Sequence, residues 1–213
     1  MDMNNDQDTG QARGLDALRR AIATGRASVA SADAHAPTRE AVNPDGTINQ
    51  TTVAFNVFAR LLDTDGIRAA LYSVLRKSDY RYISIFRFKD GRATSAVHVD
   101  RDDLNVQQAA EVADTATYCC HVRNTGEAFA TADASADPRT ADHPAKNVVR
   151  SYVGVPIVTP DGELLGTLCH YDLVPRDPSR LDVELLVQVS SALARSGRVP
   201  PYPDLPDGGP AAG

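Results

Sequence analysis

Thiol and imidazole groups stand side by side at two places in the sequence. Cys119 and Cys120 precede His121, and Cys169 precedes His170. Thiolate and imidazole are the ligands preferred by zinc and by several redox metals. A thiol can also attack an oxidised substrate while a second thiol resolves the product. For that chemistry, we predict that Cys120 and Cys169 form the pair contributed by separate elements.

Local geometry limits how many of these groups can share one centre. Successive residues of a helix point about 100° apart, so positions 119–121 cannot all converge. Adjacent residues of a strand, such as Cys169 and His170, point to opposite faces. At most two or three of the five groups can therefore meet, and we predict no metal site. Cys119 or Cys120 is instead interpreted as a small buried apolar side chain.

Polar and aromatic side chains on otherwise apolar elements are the best sequence signal for a binding cavity. We interpret several of them as lining one small pocket that takes a polar or anionic small molecule. The predicted ligand-binding residues are Phe86, His98, Tyr118, Cys120, His121, Asp133, Tyr152 and His170. No catalytic residue is assigned, and the sequence leaves any cofactor unknown.

Composition divides the chain into three parts. Residues 1–47 are predicted to be an N-terminal extension, with a short amphipathic helix at about 14–24 followed by a linker. Residues 48–196 carry the periodic apolar patterns of one folded domain. Residues 197–213 are rich in Pro and Gly and are predicted to form a flexible tail.

Apolar periodicity places helices at both ends of this domain. Asn49 is positioned to cap a first helix, and a second begins at Ile67. The last helix has a stripe of leucines and valines and is predicted to start in a capping box of Ser179 and Asp182.

Strands joined by tight turns fill the rest of the domain. Residues 80–88 and 93–99 alternate around an Asp-Gly turn, and residues 151–159 and 164–171 flank a Pro-Asp-Gly turn. The segment between these hairpins is predicted to hold one or two helices over 106–123, a short strand at 128–132 and a short helix at 144–149.

This order predicts an α+β fold. Hairpin connections favour an antiparallel β-sheet. The N- and C-terminal helices should cover one face of the sheet, and the middle helix/loop segment should enclose a pocket on the other face.

Charge and apolar patterning argue against several classes of partner. The chain has 22 Lys and Arg against 28 Asp and Glu, a net charge of −6, and no basic concentration. We therefore expect neither nucleic acid nor an anionic membrane surface as a partner. No apolar run approaches the ~20 residues of a membrane span, and the polar start does not resemble a secretory signal. Three cysteines make a disulfide framework improbable, so we expect a cytoplasmic protein.

Two stretches of this domain resemble GAF domains, and the resemblance covers about 48–196. The first comprises YCCHV at 118–122, TGE at 125–127 and DASADPR at 133–139. The second comprises SYVGVPI at 151–157, PDG at 160–162 and LGTLC at 165–169. The resemblance implies a helix-backed antiparallel sheet, a ligand cavity, a sensory role in the cytosol and, often, a homodimer. His170 departs from the family pattern, which has an aliphatic residue there.

Three functions remain open at this point. The first is a sensory module that binds a small molecule and passes its signal to a separate protein. The second is a thiol-dependent reductase of a small sulfoxide, similar to free-methionine-sulfoxide reductases. The third is a dimeric interaction module that binds no ligand.

Overall fold

One six-stranded antiparallel sheet organises the residues that the computed structural model describes, which are 41–43 and 45–203. The strands are β1 (Tyr82–Lys89), β2 (Arg92–Asp100), β3 (Val112–Ala113), β4 (Phe129–Thr131), β5 (Ser151–Val158) and β6 (Leu164–Asp172). Their spatial order is β3-β2-β1-β6-β5-β4, and every neighbouring pair is antiparallel. The predicted sheet is thereby confirmed, whereas the predicted helix at 14–24 lies outside the described residues.

Four α-helices accompany the sheet within the described ranges. They are α1 (Gln50–Thr64), α2 (Ile67–Leu75), α3 (Cys119–Thr125) and α4 (Val183–Ser196). The side chain of Asn49 accepts the Thr52 N–H at 2.9 Å, as the sequence predicts. In α4 the capping residue is Asp182, which accepts the Leu185 N–H, and Ser179 lies one turn earlier in a 3₁₀ turn. None of the helices in these ranges is long and apolar enough to cross a bilayer.

The two faces of the sheet carry separate apolar clusters. On the back face, α1, α2 and α4 pack against side chains that include Ile83, Ile85 and Val153. On the front face, α3 and its neighbouring loops pack against Phe86 and Cys169. The chain therefore forms the three layers expected of this α+β fold.

The middle of the chain departs from the sequence prediction. Residues 106–111 are not helical, although they are rich in alanine. Their backbone is held by the sheet, because the Ala109 N–H donates to Ser95 Oγ at 2.7 Å and Ala113 pairs with Arg92. Residues 144–149 form turns with only one i→i+4 bond, from the Val149 N–H to the Ala145 carbonyl. Tertiary pairing here overrides helix propensity.

The first residues of the predicted tail lie against the domain. Arg198 forms an ion pair with Asp63 at 2.9 Å and donates to the Leu62 carbonyl. The Tyr202 hydroxyl donates to Glu111 at 2.5 Å. The described part of the tail therefore contacts both α1 and the segment before β3.

His170 is a titratable side chain in the back-face core. Its strand neighbours in register are Ile83 and Val153, and its ring lies 5.6 Å from the ring of Tyr80. Burial lowers the pKa of His170 to about 3, and neither ring nitrogen has a hydrogen-bond partner among the described residues. The imidazole is therefore neutral in the folded domain at neutral pH.

We predict that His170→Leu flattens the pH dependence of folding. The histidine pKa is lower in the folded than in the unfolded chain, where it is about 6.5. Below about pH 6.5 the unfolded state therefore binds a proton that the folded state does not, and stability falls. The stability of His170→Leu relative to the parent should rise by about 2 kcal/mol in total as pH falls from 6.5 to 4.5, with a slope that approaches about 1.4 kcal/mol per pH unit at the acid end. Urea unfolding across this range measures it, and parallel pH profiles would contradict the prediction.

Candidate functional site

A cavity of about 410 Å³ lies on the front face of the sheet. Its floor is formed by side chains of the four central strands. Its roof is formed by the two segments 104–118 and 143–149, whose lining residues lie between Val106 and Tyr118 and between Ala145 and Val149. The floor residues are Tyr82, Phe86, His98, Asp100, Tyr152, Cys169 and Tyr171. The volume lies in the usual range for small-molecule sites.

Stacked rings make up one end of the floor. Tyr82 and Tyr171 are cross-strand partners in register, and their ring centroids are 4.6 Å apart. Tyr82 also stacks on His98 at 5.6 Å. His98 Nδ1 shares a 2.8 Å hydrogen bond with the Ser84 hydroxyl, which fixes the orientation of the imidazole. The result is a stack of three rings, in which the tyrosines are apolar and the imidazole is polar.

The electrostatics of the cavity are close to neutral. Burial lowers the pKa of His98 below its ordinary value, so its imidazole is uncharged at neutral pH. Asp100 is the one charged side chain in the lining, and it accepts two hydrogen bonds from Arg81, at 2.8 and 2.9 Å. These bonds lower the pKa of Asp100, which stays ionised and paired.

Arg68 of α2 fastens the roof to the sheet. Its guanidinium donates to the carbonyl of His98 in β2 at 3.1 Å. It also donates to the carbonyls of Leu104 and Val106 at 2.5 and 3.2 Å. One side chain from the back layer therefore positions a strand and the first roof segment together.

Cys119 and Cys169 meet beneath the cavity. Their Sγ atoms are 3.9 Å apart, and the Tyr152 hydroxyl donates to Cys119 Sγ at 3.3 Å. The pairing predicted from sequence, Cys120 with Cys169, is wrong in its first member. At the start of α3, the side chain of Cys119 faces the sheet. The side chain of Cys120 points about 100° away from it around the helix.

The two thiols differ in acidity. Burial raises the pKa of Cys119, but hydrogen bonds from Cys169, Thr117 and Tyr152 outweigh it and bring the pKa below its usual value. Burial and the Cys119 thiol together raise the pKa of Cys169 well above its usual value. Cys119 therefore has more thiolate character than Cys169, whereas Cys169 is the thiol that lines the cavity.

Cys120 belongs to a second group, the Cys120 cluster, made of Cys120, His121 and His143. One ligand atom from each of the three lies within 4.8 Å of the others. Cys120 Sγ is 3.9 Å from His143 Nε2. Tyr118 lies between the cluster and the cavity. Its ring is 4.2 Å from the His143 ring, and the same residue lines the cavity. Two of the five groups considered in the sequence, Cys120 and His121, therefore converge here. They are joined by His143, which the sequence analysis did not assign.

Asp133 has a bonding role outside the cavity. It forms a two-point ion pair with Arg150, with distances of 3.0 and 2.8 Å, and accepts the Ser135 hydroxyl at 2.9 Å. These contacts tie the loop after β4 to the start of β5. The pKa of Asp133 is lowered, mainly by the hydrogen bond from Arg150.

The structure thus divides the eight predicted ligand-binding residues. Four of them, Phe86, His98, Tyr118 and Tyr152, line the cavity. The other four, Cys120, His121, Asp133 and His170, are not part of its lining. His170 is on the opposite face because its strand neighbour Cys169 faces the cavity.

Sequence analysis did not assign three residues that shape the two sites. Strand alternation places Tyr82 on the same face as Phe86, and Tyr171 on the same face as Cys169. The two tyrosines could therefore have been predicted from the sequence. His143 is followed by Pro144 in a segment without periodicity. Nothing in that pattern indicates that His143 reaches α3.

Gly154 makes room for the wall of the cavity. A Cβ atom at this position would lie 2.1 Å from the Tyr152 hydroxyl oxygen and 2.6 Å from the adjacent ring carbon. The Tyr152 ring therefore occupies the space over Gly154, from where its hydroxyl reaches Cys119.

The helix-backed sheet and its roofed cavity define a class of α+β domain with one enclosed front-face site. The family model of the GAF domain matches residues 6–196, so this chain belongs to the GAF domain family. Members commonly have sensory or regulatory roles and bind small molecules. The resemblance seen in the sequence is confirmed.

Solved structures show the same fold at low sequence identity. A GAF domain of a phosphoenolpyruvate-protein phosphotransferase from Acinetobacter is 14% identical, with a TM-score of 0.54, over 72% of this chain and 94% of that chain. Free methionine-R-sulfoxide reductase from Neisseria meningitidis, in complex with its substrate, is also 14% identical, with a TM-score of 0.52, over 72% and 93%. A far-red absorbing dark state with bound biliverdin is 13% identical, with a TM-score of 0.51, over 68% and 99%.

One curated relative aligns with part of the chain. A cyclic di-GMP phosphodiesterase of Pseudomonas aeruginosa is 36% identical over 74 residues. The alignment covers 33% of this chain but only 13% of that protein. The similarity is therefore confined to a small part of the larger relative.

We predict that Gly154→Ala lowers the free energy of unfolding by about 1–3 kcal/mol, because the new methyl group displaces the Tyr152 ring. Urea unfolding of the single and double variants measures the coupling. In a Tyr152→Leu background the penalty for Gly154→Ala should fall to less than half, since the clashing atoms are gone. An equal penalty in both backgrounds would show that Tyr152 is not what limits this position.

Proposed function

We propose that this GAF domain is a sensory module that binds a small molecule in its front cavity and has no catalytic output of its own. The observation that carries the proposal is the roofed 410 Å³ cavity beside a packed back core. On the back face, side chains fill the space between the sheet and the helices. On the front face, the space between the sheet and the roof is left open.

The lining favours a flat, largely apolar molecule with one or two hydrogen-bonding groups. Tyr82, Phe86 and Tyr171 contribute aromatic rings to the lining, and His98 is neutral. Asp100 is a carboxylate paired with Arg81, so it repels a bound anion rather than neutralising it. These features favour a neutral ring compound over the polar or anionic ligand expected from sequence.

Signal output requires that the ligand prefer one of two arrangements of the domain. The roof is the part best suited to change, because residues 104–111 and 143–149 are held mainly by a few hydrogen bonds. We infer that the domain acts as a homodimer in the cytoplasm and passes its signal to a separate protein. The family resemblance supports the dimer, and three free thiols are in keeping with a reducing compartment.

We predict that blocking the cavity entrance abolishes ligand binding. Val148 lines the cavity and is 64% exposed, so Val148→Trp places an indole across the opening. The probe is the compound from a metabolite library that gives the largest thermal shift with the parent. Its affinity should fall at least tenfold in Val148→Trp.

Val158 supplies the matched control for this test. It is an exposed valine at the end of β5 and is not part of the cavity lining. Val158→Trp should bind the probe like the parent. Equal affinity in Val148→Trp and Val158→Trp would place the binding elsewhere.

Native mass spectrometry of freshly purified protein reports any retained small molecule and the subunit count.

The thiol pair supports a second candidate function, which is reduction of a small sulfoxide. Cys119 and Cys169 lie close enough for a disulfide after a rotamer change, and Cys169 lines the cavity. In the balanced reaction, two thiols become one disulfide and the sulfoxide becomes a sulfide. The sulfoxide oxygen leaves as water with the two thiol protons.

Thiol titration tests this candidate. If it holds, methionine sulfoxide should consume two thiols per chain in the parent and also in Cys120→Ser. The loss should disappear in Cys119→Ser, which lacks one of the two sulfurs of the disulfide. Retention of all three thiols after exposure to the sulfoxide would exclude the reductase and leave the sensory proposal standing.

A further inference from the structure

The Cys120 cluster has the chemistry and the arrangement of a metal-binding site. Its three members supply one sulfur and two imidazole nitrogens, with one atom of each within 4.8 Å of the others. It is separate from the front cavity, since none of the three residues lines that cavity. We propose that Cys120, His121 and His143 bind one divalent transition-metal ion of the zinc type.

The donor set matches this class of ion. Thiolate and imidazole suit Zn²⁺ and Co²⁺, whereas Mg²⁺ and Ca²⁺ require oxygen ligands. Three protein ligands leave the fourth tetrahedral position to water or to another small ligand. The proposal therefore describes an open site rather than a closed structural one.

An unsatisfied nitrogen points to a ligand at this place. His121 Nε2 is buried and has no hydrogen-bond partner among the described residues. A buried polar atom without a partner destabilises the folded state, and coordination would satisfy this one. The side chain of Cys120 is buried beside it, being 8% exposed, so the ligand atoms face a site that is largely shielded from water.

The distances require only a small contraction. Tetrahedral zinc with Zn–S of about 2.3 Å and Zn–N of about 2.0 Å places its ligand atoms roughly 3.3–3.6 Å apart. Cys120 Sγ and His143 Nε2 are already within 3.9 Å. The largest separation in the group, 4.8 Å, must close by about 1 Å. His143 lies in a segment of turns, which can make this movement more easily than α3.

One existing contact must be given up when the metal binds. The Ala145 N–H donates to His143 Nδ1 at 3.2 Å, so in the metal-free domain the ring proton is on Nε2. Coordination through Nε2 moves that proton to Nδ1 and breaks this long hydrogen bond. A metal–imidazole bond outweighs such a contact.

Neighbouring charges do not oppose a cation strongly. Arg139 and Asp137 both act on His121, and they are bonded to each other at 2.6 Å, so their fields largely cancel. His121 and His143 are only partly buried, which leaves an entry path from solvent.

Cobalt substitution tests the proposal directly. The full, tag-free chain is reduced with a phosphine, freed of metal, and titrated with Co²⁺ alone. We expect one ion per chain and a thiolate-to-cobalt absorption band in the near ultraviolet, with Zn²⁺ displacing the ion and bleaching the band. Absence of the band at saturating Co²⁺ would overturn the assignment.

Variants of the cluster identify the ligands. Cys120→Ser should abolish the thiolate band, and His143→Asn should weaken Co²⁺ binding at least tenfold. Cys120 is a buried helix residue, and Cys120→Ser could fail to fold for that reason alone. His143 lies in a turn segment, where a substitution disturbs the fold less, so His143→Asn provides the second test. His35→Asn removes a histidine outside the cluster and should leave the band and the affinity as in the parent. An unchanged band in Cys120→Ser, or unchanged affinity in His143→Asn, would show that the metal binds elsewhere.

Discussion

Pairing of β1 with β6 determines which side chains meet on each face of the sheet. Tyr82 lies opposite Tyr171 and Ser84 opposite Cys169 in this register, so the stacked tyrosines and the thiol share the front. The intervening positions, Ile83 and His170, face the back core. A slip of one residue would exchange the two sets, which would bury the present cavity floor under helices and remove the cavity.

The open front face depends on how its roof is held. A packed layer would seal the sheet with large apolar side chains, as α1, α2 and α4 do on the back. The front instead has small residues such as Ala109 and Ala116 in its roof. Directional hydrogen bonds from Arg68 and to Ser95 fix the position of this layer, so it does not need to fill the space beneath it.

Local sequence signals predicted the hairpins and the terminal helices of the domain. Non-local contacts determine the roof and the position of the cysteines. The β1–β2 hairpin follows from alternation and from Asp90-Gly91, both of which adopt positive φ in the turn. The roof has no local signal, because its alanines are held by β2 rather than by one another. The same limit applies to the cysteines: alternation put Cys169 and His170 on opposite faces, but only the docking of α3 decides that Cys119 faces inward.

Tyr118 connects the cavity with the Cys120 cluster. Its ring lines the cavity and stands edge-on to Tyr152 at 5.7 Å, while it lies 4.2 Å from the His143 ring. His143 also belongs to the roof segment that contributes Ala145 and Val148 to the lining. An ion that draws His143 toward α3 must therefore shift one wall of the cavity. Because coupling between two sites is reciprocal, a ligand in the cavity would change the metal affinity by the same factor.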